Sequence, residues 1–365
     1  MKILRRYLYG EILSAVSFVT LGFLALFFFF DLVDELRWLN QGGYLITHAL
    51  LYVALQVPSH LYELFPITVL IGTIFVMANL AQSSEYTILR TSGLGPWRAL
   101  RTLLVLGLSF VITTFAVGDY LAPATERAGQ LMKARYQGRA TTGQTGAWMK
   151  EKQDYSSFAV NIGRMTGEGG MQNIRIFEYN RQGHLISLTH AARGEFGKDD
   201  AWQLFEVQRS DFHDEANEHA QVEQSNQPQL RWPTQISSEM VSAALLKPDR
   251  MRTIDLFEYI RHLDANGQSA QAYEIEFWRK VFYPLSCLVM VVLALPFAYL
   301  HFRSGGIATY VFGGVMAGIS FFLLNNVFGY IGNLQNWTPW LVAAAPGLIY
   351  SLLSLGAFGW LVLRR

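Results

Sequence analysis

The chain has 365 residues, 51% of them hydrophobic and 14% aromatic, with a formal net charge of +1 and a single cysteine. This balance exerts no pull on nucleic acid, and no basic, aromatic-interleaved patch supplies one. Cys287 stands alone, which excludes an intrachain disulfide and leaves cysteine usage silent on redox compartment.

The charges are unevenly spread. After Lys2, Arg5 and Arg6, no Asp, Glu, Lys or Arg occurs from Ile12 to Phe30. A hydrocarbon core of about 30 Å needs roughly 20 apolar residues of helix, so this run predicts a first membrane span. It is too long for a signal-peptide core. Asp31-Leu32-Val33-Asp34-Glu35 follows it where a cleavage site would need small residues. The next apolar stretch, "YLITHALLYVALQVPSHLYELFP", carries His48, His60 and Glu63 and is broken by Pro58 and Pro66. It reads as an interfacial helix kinked into a second span over Leu64–Ser84, or as the first half of one long, bent span.

Between spans two and three lies "AQSSEYTILRTSGLGPWRALR". Ser83 or Ser84 can cap a short helix over residues 83–95, with Glu85 in its first turn, where negative charge suits the helix dipole. Tyr86, Leu89 and Gly93 fall near one face, with Thr87 and Arg90 beside them. Gly93 suits the position just past a helix end, and Gly95-Pro96 prevents continuation. Such a helix is either a plain connector lying on head groups or a handle for a soluble partner, and periodicity does not decide between them.

A third span is predicted over Thr102–Gly118 and a fourth over Val281–Leu300. Ser304–Leu363 contains no charge and is long enough for a fifth and a sixth, divided by the turn Gly332–Pro339. Residues 123–272 lie between spans three and four as one inserted domain. There "NIRIFEYNRQGHLISLTH" alternates apolar and polar on both sides of a turn at Asn180–Gly183, and "AWQLFEVQRSDF" reads as another strand. A sandwich or jelly roll is predicted. The period then changes: Ile254, Phe257, Ile260 and Leu263 predict a helix ending at Asn266-Gly267, and a second helix runs from about Gln271 into span four. The fold class is therefore an α-helical polytopic membrane protein of six spans with an inserted β-jelly-roll-like domain. Residues 1–122 hold spans one to three and residues 273–365 hold spans four to six.

Lys and Arg in short loops set orientation. Lys2, Arg5, Arg6, Arg90, Arg98, Arg101, Arg303, Arg364 and Arg365 all fall on one side of a six-span chain. That places both termini and the 83–95 helix in the cytoplasm and the inserted domain outside it.

No phosphate-binding G-x-x-x-x-G-K-[ST] loop, G-x-S-x-G elbow or H-E-x-x-H zinc motif is present. The run His213–His219 has metal-capable side chains at a spacing that matches no common zinc signature and reads as a solvated loop. Neither a catalytic residue, a metal nor a cofactor is predicted. Basic groups near the span ends, among them Arg37, Lys133 and Arg135, can snorkel to the interface or hold head-group phosphates. Phe27–Phe30 cover every side of one helical turn. Asn325 and Asn326 flanked by Phe321, Phe322 and Phe328 suit either interhelical hydrogen bonds or a cavity lining. Gly314 and Gly318 suit close packing on a neighbouring helix.

This arrangement resembles the LptF/LptG permeases of the lipopolysaccharide export transporter along the whole chain. "QSSEYTILRTSGL" looks like the family's coupling helix, while "LKPDRMRTIDLFEYIRHLDANGQSAQAYEIEFWRKVFYPLS" and "ALPFAYLHFRSGG" look like the LptG branch. The resemblance implies a permease subunit in the bacterial inner membrane, itself no enzyme, paired with an LptF-like permease and driven by an LptB-like ATPase dimer. Glu85 would meet a basic residue of that ATPase, with Ser84, Tyr86, Leu89, Arg90 and Gly93 around it. A cavity opening between span one of one permease and span five of the other would put Leu26, Phe27, Phe30, Phe321, Asn325 and Phe328 against acyl chains. Arg37, Lys133 and Arg135 would then meet head-group phosphates. The inserted domain would pass lipopolysaccharide to an LptC-like single-span protein and an LptA-like bridge. Relatives often carry a basic residue where this chain has Asp31. The alternative is a mechanotransmitting permease-like subunit that acts on a periplasmic partner without moving lipid.

Overall fold

A computed structural model describes residues 2–40, 43–137, 146–153, 155–165, 170–197, 200–213, 221–238, 240–241, 248–299 and 307–360. Arg139, Arg303, Arg364, Arg365 and most of the His213–His219 run lie outside the described residues, as does the side chain of Arg135. Contacts divide the chain into two units: Met1–Arg37, Val53–Glu126 and Glu274–Arg365 form one, Trp38–Tyr52 and Arg127–Tyr273 the other.

The first unit is helical. Among the described residues, six helices are long and apolar enough to cross a membrane: Ile3–Trp38, Ile46–Gln82, Pro96–Lys133, Gln271–Tyr299, Ala308–Leu334 and Pro339–Phe358. Span two runs unbroken through Pro58 and Pro66, so the residues before Leu64 are its first half and not a separate interfacial helix. The 37-residue helix is about 55 Å long at 1.5 Å per residue, well over the thickness of a bilayer core. The Tyr283 hydroxyl of span four donates to the Glu63 carbonyl of this helix. Span three likewise continues past Gly118, through a π-helical turn at Val117–Leu121, into a helix that ends at Gln137. π turns insert one residue into the helical ladder; here the buried Lys280 ammonium donates to the Gly118 carbonyl at 3.1 Å.

The spans converge on a core that includes Ile12 and Val16 of span one, Leu70, Ile74 and Met77 of span two, Leu103 and Phe110 of span three, and Met290 and Val291 of span four. Phe321 and Tyr350 add spans five and six. Span two is central, with 72% of its most apolar window buried, whereas spans one and five bury only 17% each. Gly314 and Gly318 do serve close packing, and the neighbour is span two: a Cβ at either would press on Ile74 or Ile67.

The second unit is built on a six-stranded antiparallel sheet, β1 (Ala147–Lys152), β2 (Ser157–Met165), β3 (Met171–Tyr179), β4 (Leu185–Phe196), β5 (Ala201–His213) and β6 (Gln221–Pro233). The strands neighbour one another in chain order, consistent with a jelly-roll-like domain inserted between spans three and four. Alternation is clean in β1, where Ala147, Met149 and Glu151 are buried and the residues between them exposed. The predicted turn is the β3–β4 hairpin: the Asn180 side-chain oxygen accepts from the Gln182 and His184 amides, and Gly183 takes a positive φ of 84°. Trp202 is buried against Phe196 and Trp232, and its indole N–H donates to the Ile236 carbonyl at 2.9 Å.

The helix Thr253–Ala265 ends where predicted, at Asn266 with Gly267 at positive φ. Its inward face differs from the apolar periodicity. Asp255, Leu256, Tyr259, His262 and Leu263 are buried, while Ile254 and Phe257 are about half exposed. A buried carboxylate must be paired, and Asp255 is held by Arg252 and Arg127. Burial would raise its pKa, but these two guanidiniums hold it below the ordinary value. Burial also lowers the pKa of His262 from 6.5, against the opposing pull of Glu151.

The signs fix an acid sensitivity. The folded state resists protonating His262 while the unfolded chain takes the proton, so this stabilisation is intact above pH 6.5 and is lost as pH falls below it. Asp255 adds a second loss only below its ordinary 3.8. One histidine contributes a slope of at most about 1.4 kcal/mol per pH unit. Thermal unfolding of the full chain in detergent should therefore show a midpoint that drops between pH 6.5 and 5. His262→Gln should flatten that drop; an unchanged slope would remove His262 as its cause.

Candidate functional site

The segment between spans two and three holds the helix Glu85–Thr91. Neither serine caps it through its side chain. Ser83 Oγ donates back to Asn79 O at the end of span two, and Ser84 adopts a left-handed φ of 60° that turns the chain. The helix end follows the predicted geometry: Gly93 takes φ 102°, its amide donates to Arg90 O, and the Leu94 amide donates to Leu89 O. Pro96 then starts span three.

The helix is pinned to the spans from beneath. Tyr86 is 2% exposed and meets the Tyr299 ring edge-on at 5.1 Å. Burial, with Tyr299 beside it, pushes the Tyr86 phenol well above its usual pKa, so it is a neutral anchor. Leu94 is buried and Leu89 packs on the same core. Arg90 lays its guanidinium 5.4 Å from the centroid of Tyr299. Glu85 is half-buried and accepts a 2.9 Å hydrogen bond from the Tyr7 hydroxyl of span one. The face left over consists of Thr87, Ile88 and Thr91, with Ile88 62% exposed. From sequence, Ser84, Glu85, Tyr86, Leu89, Arg90 and Gly93 stand out here, but not Ile88. An isoleucine between Thr87 and Leu89 on a seven-residue helix gives no periodicity from which to tell the outward face.

Along span one, Leu26 and Phe30 are about half exposed, while Phe27 turns partly inward with its ring 5.0 Å from that of His60. His60 Nε2 and Asp31 Oδ2 lie 2.6 Å apart, so Asp31 is engaged by a span-two side chain. Arg37 ion-pairs with Asp34 at 3.2 Å, both largely exposed. Lys133, in the other unit, sits over the Tyr52 ring at 4.4 Å and the Trp38 ring at 6.0 Å, a cation–π setting.

Along span five, the candidate residues part company. Phe321 is 1% exposed, between Tyr283 and Tyr350; it seals the core and offers no surface to an acyl chain. Asn325 is buried and its amide donates to Phe321 O at 3.0 Å, which answers its cost within its own helix. Phe328 is half-buried against Trp337. The exposed apolar face is Leu323, Val327 and Tyr330. Among the described residues no group of His, Cys, Asp and Glu could hold a metal ion.

A model of the family described as lipopolysaccharide export system permease LptF/LptG matches residues 6–364. The lipopolysaccharide export system permease protein LptG of Escherichia coli strain K12 is 28% identical over 366 residues, covering 100% of this chain and 98% of that protein. Its namesake from Haemophilus influenzae is 27% identical, covering 99% and 98%.

Proposed function

The chain belongs to the LptF/LptG family of lipopolysaccharide export permeases, and from that premise we propose how its parts divide the work. As a family member it is a multi-pass inner-membrane transport protein and not an enzyme. Its 83–95 segment is the handle by which a separate, LptB-like ATPase dimer moves the spans. The inserted sheet lies in the periplasm, both termini lie in the cytoplasm, and a second, LptF-like permease completes the membrane pair. Lipopolysaccharide enters sideways between span one of one permease and span five of the other. The sheet then passes it to an LptC-like protein and an LptA-like bridge.

One observation carries this reading: the Glu85–Thr91 helix is anchored by Tyr86 and Leu94 to the core shared by the spans, yet presents Thr87, Ile88 and Thr91 outward. A plain connector needs no buried tyrosine beneath it. A lever does, because a push on its outer face must reach the spans rather than bend a loop. The sparse burial of spans one and five fits surfaces reserved for lipid and for the second permease.

The lipid route is tested by photo-crosslinking in the assembled transporter. A benzophenone amino acid at Leu26, Phe30 or Val327 should capture lipopolysaccharide, and one at the core position Phe321 should not. Absence of lipid adducts from all three exposed sites would favour force transmission to a periplasmic partner without lipid movement.

A further inference from the structure

Span five is held loosely for a membrane helix. Among the described contacts it leans on span six, touches span two through Gly314 and Gly318, and meets span four through Tyr310 on Phe297 and Phe321 on Tyr283. Beyond Phe321, one further link to span four stands out. Arg279 Nη2 donates to the main-chain carbonyl of Asn325 at 3.0 Å, while Nη1 reaches Glu276 Oε2 at 3.2 Å. The guanidinium, 23% exposed, lies where a Cβ of residue 329 would clash with it, so any other side chain there would force the guanidinium to shift. The Asn325 amide is folded back onto Phe321 O and so leaves the way to its own carbonyl clear.

We infer that Arg279 is a positioning residue that latches the Asn325–Leu334 half of span five to span four. The inference rests on the lateral-entry reading above and names what holds one side of the entry. The acceptor is a helix carbonyl, which already serves its own helix. The bond can therefore break without stranding an unpaired backbone group in lipid, and it can re-form when span five returns. Glu276, on the same helix, sits beside the guanidinium as its counter-charge. A hydrophobic contact at the same place would have to slide; this bond is made or broken.

The test places spin labels at Tyr330 and Val281, both exposed, in the full transporter reconstituted in lipid. The unaltered pair should give one narrow distance distribution. Gly329→Ala evicts the guanidinium while keeping the arginine and a helix-favouring residue; Arg279→Ala removes the donor. Each should add a second, longer population and reduce lipopolysaccharide delivered per ATP several-fold, with the KM for ATP unchanged. The double variant should be no worse than either single one, and Arg279→Lys should restore part of the narrow distribution. A narrow distribution in folded Gly329→Ala and Arg279→Ala complexes would overturn the latch. A second population with normal delivery would uphold the latch and overturn the lateral-entry reading.

Discussion

Replacing Glu85 by arginine is expected to abolish co-purification of the ATPase with the permease pair while leaving the chain folded in the membrane. Glu85 is half-buried and its one described side-chain partner is the Tyr7 hydroxyl, so folding does not depend on its charge. A carboxylate that meets a basic residue across an interface is coupled to it by about 1.5–7 kcal/mol, and a like charge there is repelled. Even the lower end, with repulsion added, weakens binding by roughly 10²–10³-fold. Glu85→Gln should fall between, and Tyr7→Phe, which removes only the internal hydrogen bond, should dock nearly as well as the parent. Reversing the facing charge on the ATPase should rescue Glu85→Arg. Normal assembly and export by Glu85→Arg would remove the carboxylate from the coupling role.

The sequence carried the six spans because each is a charge-free run about as long as a bilayer is thick. It carried the β3–β4 hairpin because Asn180 and Gly183 are the residue types that turn demands. Where the reading left alternatives or erred, the deciding interaction came from far along the chain. Pro58 and Pro66 look like breaks, yet span two continues through both, buried among the other spans. Apolar spacing predicts the helix Thr253–Ala265 and its end at Asn266, but no local pattern announces that Asp255 will be buried with Arg127. The same limit applies to the site. Phe321 and Phe328 are alike in sequence, and only tertiary packing makes one a core residue and the other a half-exposed one. Asp31 stands where relatives often carry a basic residue, and here its partner is His60 of span two, 29 residues on.

Tyr86→Ala separates anchoring from docking. The ring is buried beneath the Glu85–Thr91 helix, so its loss leaves a cavity against Tyr299 and nothing on the outward face. Truncating a buried aromatic costs about 3–5 kcal/mol. If even about 2 kcal/mol of that falls on seating the segment, the seating equilibrium shifts roughly 30-fold, and the docking-competent fraction and the apparent affinity for an ATPase fall by up to that factor. Ile88→Asp makes the opposite change. It adds charge to an exposed position, where substitutions usually alter stability by less than about 0.5 kcal/mol, but it spoils the apolar centre of the outward face. Thermal unfolding in detergent and ATPase binding by the purified permease pair, measured together, should therefore diverge. Tyr86→Ala should lower both, whereas Ile88→Asp should lower binding alone. If Ile88→Asp binds normally, the outward face of this helix is not where the motor grips. If Tyr86→Ala docks and exports normally, the buried ring is not what makes the helix a lever.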